Sequence, residues 1–123
     1  MKYYTEIVPF ELAKKLKEVG FDFPCTHYYV KHEIEGASGR RTAMHPKNWN
    51  KGGHNTSTPT YAKVFDWLIG KGVTVEMSIN RRSVWFADIY KIWEGDKNQI
   101  GLGTFHEAAN AAIEKACELL KEV

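Results

Sequence analysis

Five histidines, His27, His32, His45, His54 and His106, and two cysteines, Cys25 and Cys117, are the side chains suited to metal binding or proton transfer near neutral pH. Their spacing supports neither. Cys25 and His27 share a face if their segment is a strand, while His45 and His54 stand in a stretch without regular period. No His-x-x-x-His pair, no Cys-x-x-Cys pair and no nucleophile motif accompanies them. They read as scattered surface residues, and neither a metal nor any other cofactor is expected. Gly101-Leu102-Gly103 precedes a helix but lacks the third glycine, the buried parallel strand and the acidic ribose partner of a dinucleotide-binding turn. A hairpin edge leading into a helix cap explains it better.

The basic residues are grouped more tellingly. Between Gly36 and Ser57 lie Arg40, Arg41, Lys47 and Lys51 with no Asp or Glu, so this segment carries +4 in a chain of net charge +2, and the remainder −2. Cations that meet phosphates, together with the ring of Trp49 and that of His45 for stacking on a base, suit single-stranded nucleic acid. Arg81 and Arg82, in a turn, are candidates to extend the patch. The same charges would steer any acidic partner, and a solvated loop is the plain alternative.

A second candidate surface lies in the segment Ser83–Trp93. One face carries Trp85, Ala87 and Ile89, the other Val84, Phe86, Tyr90 and Ile92, with Asp88 interrupting the second set. If Asp88 points to water, Phe86 and Tyr90 come with it as an exposed aromatic surface, and association through it, first of all as a homodimer, is expected. If Asp88 is buried and paired, or another element covers the face, that surface disappears.

The elements that must position these residues are legible from periodicity. From Pro9 to Val19, Leu12, Ala13, Leu16 and Val19 recur at helical spacing, with Gly20 suited to close the helix and Phe21 to fold back on its last turn. Cys25–Ile34 reads as a half-buried strand. Residues 36–57 show no period and read as a long loop. Thr58 and Pro59 open a second helix with Tyr61, Ala62, Phe65, Leu68 and Ile69 as its buried stripe, stopped at Gly70 or Gly72. Val73, Val75, Met77 and Ile79 alternate with polar residues as in a strand with one buried face. Asn80-Arg81-Arg82 joins it to Ser83–Trp93. After the turn residues Gly95–Asn98, a short edge strand fits Gln99–Gly103, with Ile100 and Leu102 on one face. Thr104 and Glu107 have capping-box spacing ahead of a helix with Phe105, Ala108, Ala109, Ala112, Ile113, Ala116, Leu120 and Val123 on one side.

Short connections between the later strands force antiparallel pairing. The expectation is a single α+β domain over residues 1–123, in two layers, with a three- or four-stranded antiparallel sheet packed against about three helices. The 123 residues, 43% apolar and 26% charged, can bury a core without disulfide staples. Met1–Glu6 lacks the apolar run of a leader and no stretch is long enough to cross a bilayer, so a cytoplasmic location with both cysteines as free thiols is expected.

Three segments carry a resemblance: Leu12-Ala-Lys-Lys-Leu-Lys-Glu-Val-Gly-Phe-Asp-Phe-Pro-Cys25, Thr58-Pro-Thr-Tyr-Ala-Lys-Val-Phe-Asp-Trp-Leu68 and Thr104-Phe-His-Glu-Ala-Ala109. In these the chain resembles small uncharacterised proteins encoded by gut Bacteroidetes and their phages or mobile elements. The likeness does not extend to residues 36–57. It implies an accessory protein of a bacterial or phage-infected cytoplasm and assigns no site residue. The first functional expectation is a small non-enzymatic interaction protein acting by contact with another macromolecule. A nucleic-acid-binding accessory protein using the basic segment comes second, and an enzyme third, since no readable spacing brings titratable groups together.

Overall fold

A computed structural model describes residues 2–31, 38–92, 94 and 97–121. The chain gathers into two compact units, one formed by Ile7–Thr60 and one by Met1–Glu6 with Tyr61–Val123. The sequence expectations for 32–34, Trp93, Gly95-Asp96 and Val123 lie outside the described residues. No helix among the described residues is long and apolar enough to cross a membrane.

In the 7–60 unit, helix α1 (Phe10–Glu18) buries Leu12, Ala13 and Leu16. Gly20, at φ 91°, lets the chain reverse: its N–H reaches Lys17 O and the Phe21 N–H reaches Leu16 O, at 3.1 and 3.0 Å. This pair of bonds satisfies carbonyls that the helix end leaves open, as the glycine and Phe21 led one to expect. Strand β1 (Cys25–Lys31) is the centre of a three-stranded antiparallel sheet, flanked by β2 (Ser38–Lys47) and β3 (Asn55–Ser57). Within the stretch expected to be a loop, residues 38–47 and 55–57 are therefore strands, while residues 36–37 lie outside the described residues. Their sequence hides the strands because the sheet edge β2 is solvated along its described part, Arg41, Thr42, Met44, His45, Pro46 and Lys47 all being exposed. A strand held by backbone bonds and wet on its sides needs no alternation of apolar residues.

The register of β2 breaks in its middle. His27 pairs with Thr42 and Cys25 with Lys47, so β2 takes five steps where β1 takes two, and the extra residues bulge outward. Met44, on that bulge, is 92% exposed. Where the chain enters and leaves this unit, Ile7 and Thr60 form an antiparallel bridge and the Val8 N–H donates to Pro59 O.

The other unit places a short 3-10 turn (Lys2–Thr5), helix α2 (Tyr61–Gly70), the antiparallel sheet β4 (Val73–Ile79), β5 (Trp85–Lys91) and β6 (Lys97–Gly103), and helix α3 (Phe105–Lys121). The α+β class thus stands, with two three-stranded sheets. Helix α2 begins three residues later than Thr58, whose N–H instead donates to His27 O at 3.0 Å, extending the β1–β3 pairing. Thr58 is not the cap, and its buried hydroxyl has no described partner. The buried stripe of α2 also departs from expectation: Val64 and Trp67 are buried with Tyr61, Phe65 and Leu68, while Ile69 is half exposed.

Helix α3 opens as its sequence predicts. The Glu107 N–H donates to Thr104 Oγ1 at 3.1 Å and the Thr104 N–H to Glu107 Oε1 at 3.2 Å, a reciprocal capping box. Ala108, Ala109, Ala112, Ile113 and Ala116 are wholly buried, and Ala87 and Ile89 of β5 are equally so. The small side chains let the helix backbone come close to the sheet, each buried Ile there contributing about 1.5–3 kcal/mol of transfer free energy. Phe105 is the hub of an aromatic cluster with Tyr3, Tyr4, Tyr61 and Trp85, centroids 5.0–5.5 Å away.

Candidate functional site

The histidines do not converge. His27 Nδ1 lies 3.1 Å from Thr26 Oγ1, His45 and His54 are exposed, and His32 lies outside the described residues. Among the described residues no three His, Cys, Asp or Glu side chains gather to hold a metal ion. Cys25 and Cys117 are buried and are not joined in a disulfide. His106 has a partner no spacing could disclose: its Nε2 is 2.6 Å from Glu6 Oε2, across a separation of 100 residues. Beside this pair the Tyr61 hydroxyl donates to Asn110 Oδ1 at 2.7 Å. Burial, helped by the Glu6 carboxylate, pushes the Tyr61 phenol up to about 12. Both groups belong to the aromatic cluster that seats the N-terminal turn. In the same unit a cavity of about 200 Å³ opens between Lys71, Val73, Lys91 and Leu119, with the Lys91 ammonium 3.8 Å from Glu94. Among the described residues that line it there is no acid–base pair other than that ion pair.

The basic segment does converge, in part. Arg41 stands directly opposite Tyr28 in the β1–β2 register, and directly opposed residues share a face of the sheet. On that face Trp49, in the 3-10 turn Trp49–Lys51, stacks on Tyr28 with centroids 3.9 Å apart and planes 16° from parallel. Lys47 Nζ lies over the Trp49 ring, 5.4 Å from its centroid. Tyr28 and Trp49 are half-buried, and Arg41 and Lys47 are exposed. Two cations and two stacked rings thus occupy one surface, with no carboxylate in residues 36–57.

The stack is held rigidly. Trp49 Nε1–H donates to Cys25 O at 2.7 Å and the Trp49 N–H to Ser57 Oγ at 2.9 Å. Asn50 Nδ2 donates to Phe21 O at 2.9 Å while its Oδ1 accepts the Ser57 N–H at 2.8 Å. Lys17 clasps the following bend, its ammonium donating to Asn55 O at 2.7 Å and Gly52 O at 3.2 Å. Lys51 is exposed at the end of the turn. Arg40 stands in register with Tyr29, and its side chain lies outside the described residues. Arg81 and Arg82 are exposed in the β4–β5 turn, which belongs to the other unit; there Asn80 Oδ1 accepts the N–H groups of Arg82 and Val84. Tyr28 is the member sequence reasoning missed, and it could have been found only by knowing the strand pairing.

No family model, no curated protein and no solved structure matches this chain. What its surfaces do must therefore be argued from their chemistry.

The second surface is the face of the β4–β5–β6 sheet that carries Asp88. Ala87 and Ile89 are buried on the α3 side, so by alternation Phe86, Asp88 and Tyr90 project from the other, where all three are half-exposed. Register sets Phe86 between Ser78 and Gly101, Asp88 between Glu76 and Gln99, and Tyr90 between Thr74 and Lys97. The Tyr90 hydroxyl donates to Glu76 Oε1, and that bond is the main cause of its raised pKa. Gln99 Nε2 donates to Asp88 Oδ1 at 3.3 Å, and Lys97 Nζ sits 5.2 Å from the Tyr90 centroid. Of the two outcomes open for Asp88, the outward one holds, since its neighbours Ala87 and Ile89 take the buried face.

Proposed function

We propose that this protein is a small binding module, without chemistry of its own, that holds single-stranded nucleic acid on the Arg41–Tyr28–Trp49–Lys47 face. The observation that carries this reading is the Tyr28–Trp49 stack at 3.9 Å framed by two exposed cations. A base added to existing stacked rings costs little ordering, since Trp49 is already fixed by its bond to Cys25. Stacking is indifferent to sequence, and phosphates supply the charge that Arg41, Lys47 and Lys51 complement. The resemblance noted above supplies the setting of the proposal, the cytoplasm of a bacterium or of one carrying phage.

Fluorescence anisotropy of a labelled oligothymidylate over a range of salt concentrations tests it. Neutralising about three phosphates predicts a log–log salt slope of roughly −2. Arg41→Gln and Lys47→Gln each flatten that slope, while Tyr28→Ala weakens binding and leaves the slope alone. Absence of binding at low salt, or a slope indifferent to both neutralisations, refutes the reading.

A second reading is association with a protein through Phe86 and Tyr90. It is favoured by the outward, half-exposed position of both rings on the sheet face opposite α3.

A further inference from the structure

We propose that the open face of the β4–β5–β6 sheet is a docking site for an extended, positively charged segment of another protein, received by Glu76 and Asp88 between Phe86 and Tyr90. This rests on the second reading above and names its partner's chemistry. Glu76 and Asp88 are direct cross-strand neighbours in the β4–β5 register. Like charges so placed repel and weaken the pairing. Each is steadied by a neutral donor, Tyr90 for Glu76 and Gln99 for Asp88. Neither carboxylate forms an ion pair with a described residue, and the Lys97 ammonium lies over the Tyr90 ring. The negative charge is thus left for a cation from outside, and a guanidinium laid across both carboxylates would remove the repulsion as it binds.

Spacing defines the shape of that partner. Phe86, Asp88 and Tyr90 follow one another on one face of a strand at intervals of about 6.8 Å. An extended segment lying along β5 presents its own same-side residues at the same interval. A central Lys or Arg then meets the carboxylates, while apolar neighbours on either side meet the two rings. Area points the same way. Three strands at about 4.8 Å spacing and seven residues of length make a face of roughly 300 Å² in plan. A stable globular pair buries about 800 Å² on each partner, so a second copy of this chain is poorly served by the face and one short strand is well served.

The test uses a short labelled peptide with arginine at its centre and a leucine two residues away on each side, and a control with glutamate at the centre. Anisotropy titration should give binding of the arginine peptide, weakened by salt, and at least about tenfold poorer binding of the control. The protein carrying both Glu76→Gln and Asp88→Asn should lose about tenfold in affinity for the arginine peptide. Its melting temperature should equal or exceed that of the unaltered protein, because a repulsive pair has been removed. Equal binding of the two peptides, unchanged affinity after neutralisation, or a lowered melting temperature overturns the proposal. So does a concentration-dependent dimer abolished by the same substitutions, which would make a second copy the occupant. Arg41→Gln and Lys47→Gln should leave peptide binding unaltered, so failure of the nucleic-acid reading and failure of this one are separable.

Discussion

The indole of Trp49 lies flat on the phenol of Tyr28 and donates its Nε1–H to the backbone of Cys25, three residues earlier than Tyr28 on the same strand. One side chain thereby ties the 49–57 segment to β1 and forms part of the proposed binding surface. Trp49→Phe keeps a ring but removes the donor to a half-buried carbonyl. The expected cost is about 1 kcal/mol in urea denaturation. An unchanged unfolding midpoint would mean the bond contributes nothing.

Asn50 is the second tie of that segment. Asn50→Ala removes the donor to Phe21 O and the acceptor of the Ser57 N–H together. Two lost bonds at about 1 kcal/mol each predict a loss of about 2 kcal/mol. Asn50→Asp, which keeps the acceptor alone, should fall between Ala and the unaltered protein, and the order of the three midpoints checks the assignment.

Tyr61 predicts behaviour at alkaline pH. Its folded pKa of about 12 lies above the ordinary 10.0, so the folded state holds the phenolic proton more tightly than the unfolded chain does. The stabilising contribution is complete below pH 10 and is lost as pH rises from about 10 towards 12, where the unfolded tyrosine releases its proton first. Stability measured by denaturation across this window should decline, and Tyr61→Phe should flatten the decline. An equal slope in both proteins would assign the alkaline loss to other groups.

Ala112 lies wholly buried on the face of α3 that also buries Ala108, Ala109 and Ala116. Ala112→Leu forces extra methylenes into a helix–sheet approach that small residues make possible, at an expected cost of 1–3 kcal/mol. Ala111→Leu, one position around the helix and half-exposed, should cost much less. Comparable losses at the two positions would indicate that the close approach is not what the alanines serve.

Part of the architecture was legible because its causes are local. The Gly20 reversal, the Thr104–Glu107 box and the alternation of Val73 and Val75 each depend on residues a few positions apart, which act on the same turn or strand wherever it is placed. The strands of residues 38–57 were not legible, since their partner β1 lies elsewhere in the sequence and their side chains are mostly wet. The α2 stripe shifted because that helix is buried over a wider arc, Val64 to Trp67 and Leu68, than one amphipathic face would need.

The candidate surfaces divide in the same way. By itself the sequence determined that a segment of +4 without carboxylates exists, and that the strand around Asp88 has apolar residues to spare on both faces. Only the tertiary structure decided that Arg41 stands opposite Tyr28, that Trp49 stacks on Tyr28, and that Glu76 stands opposite Asp88. Composition and period are properties of the chain read along its length, whereas a register is a choice among pairings that backbone hydrogen bonds would satisfy almost equally. That choice is made by how the whole set of apolar side chains packs.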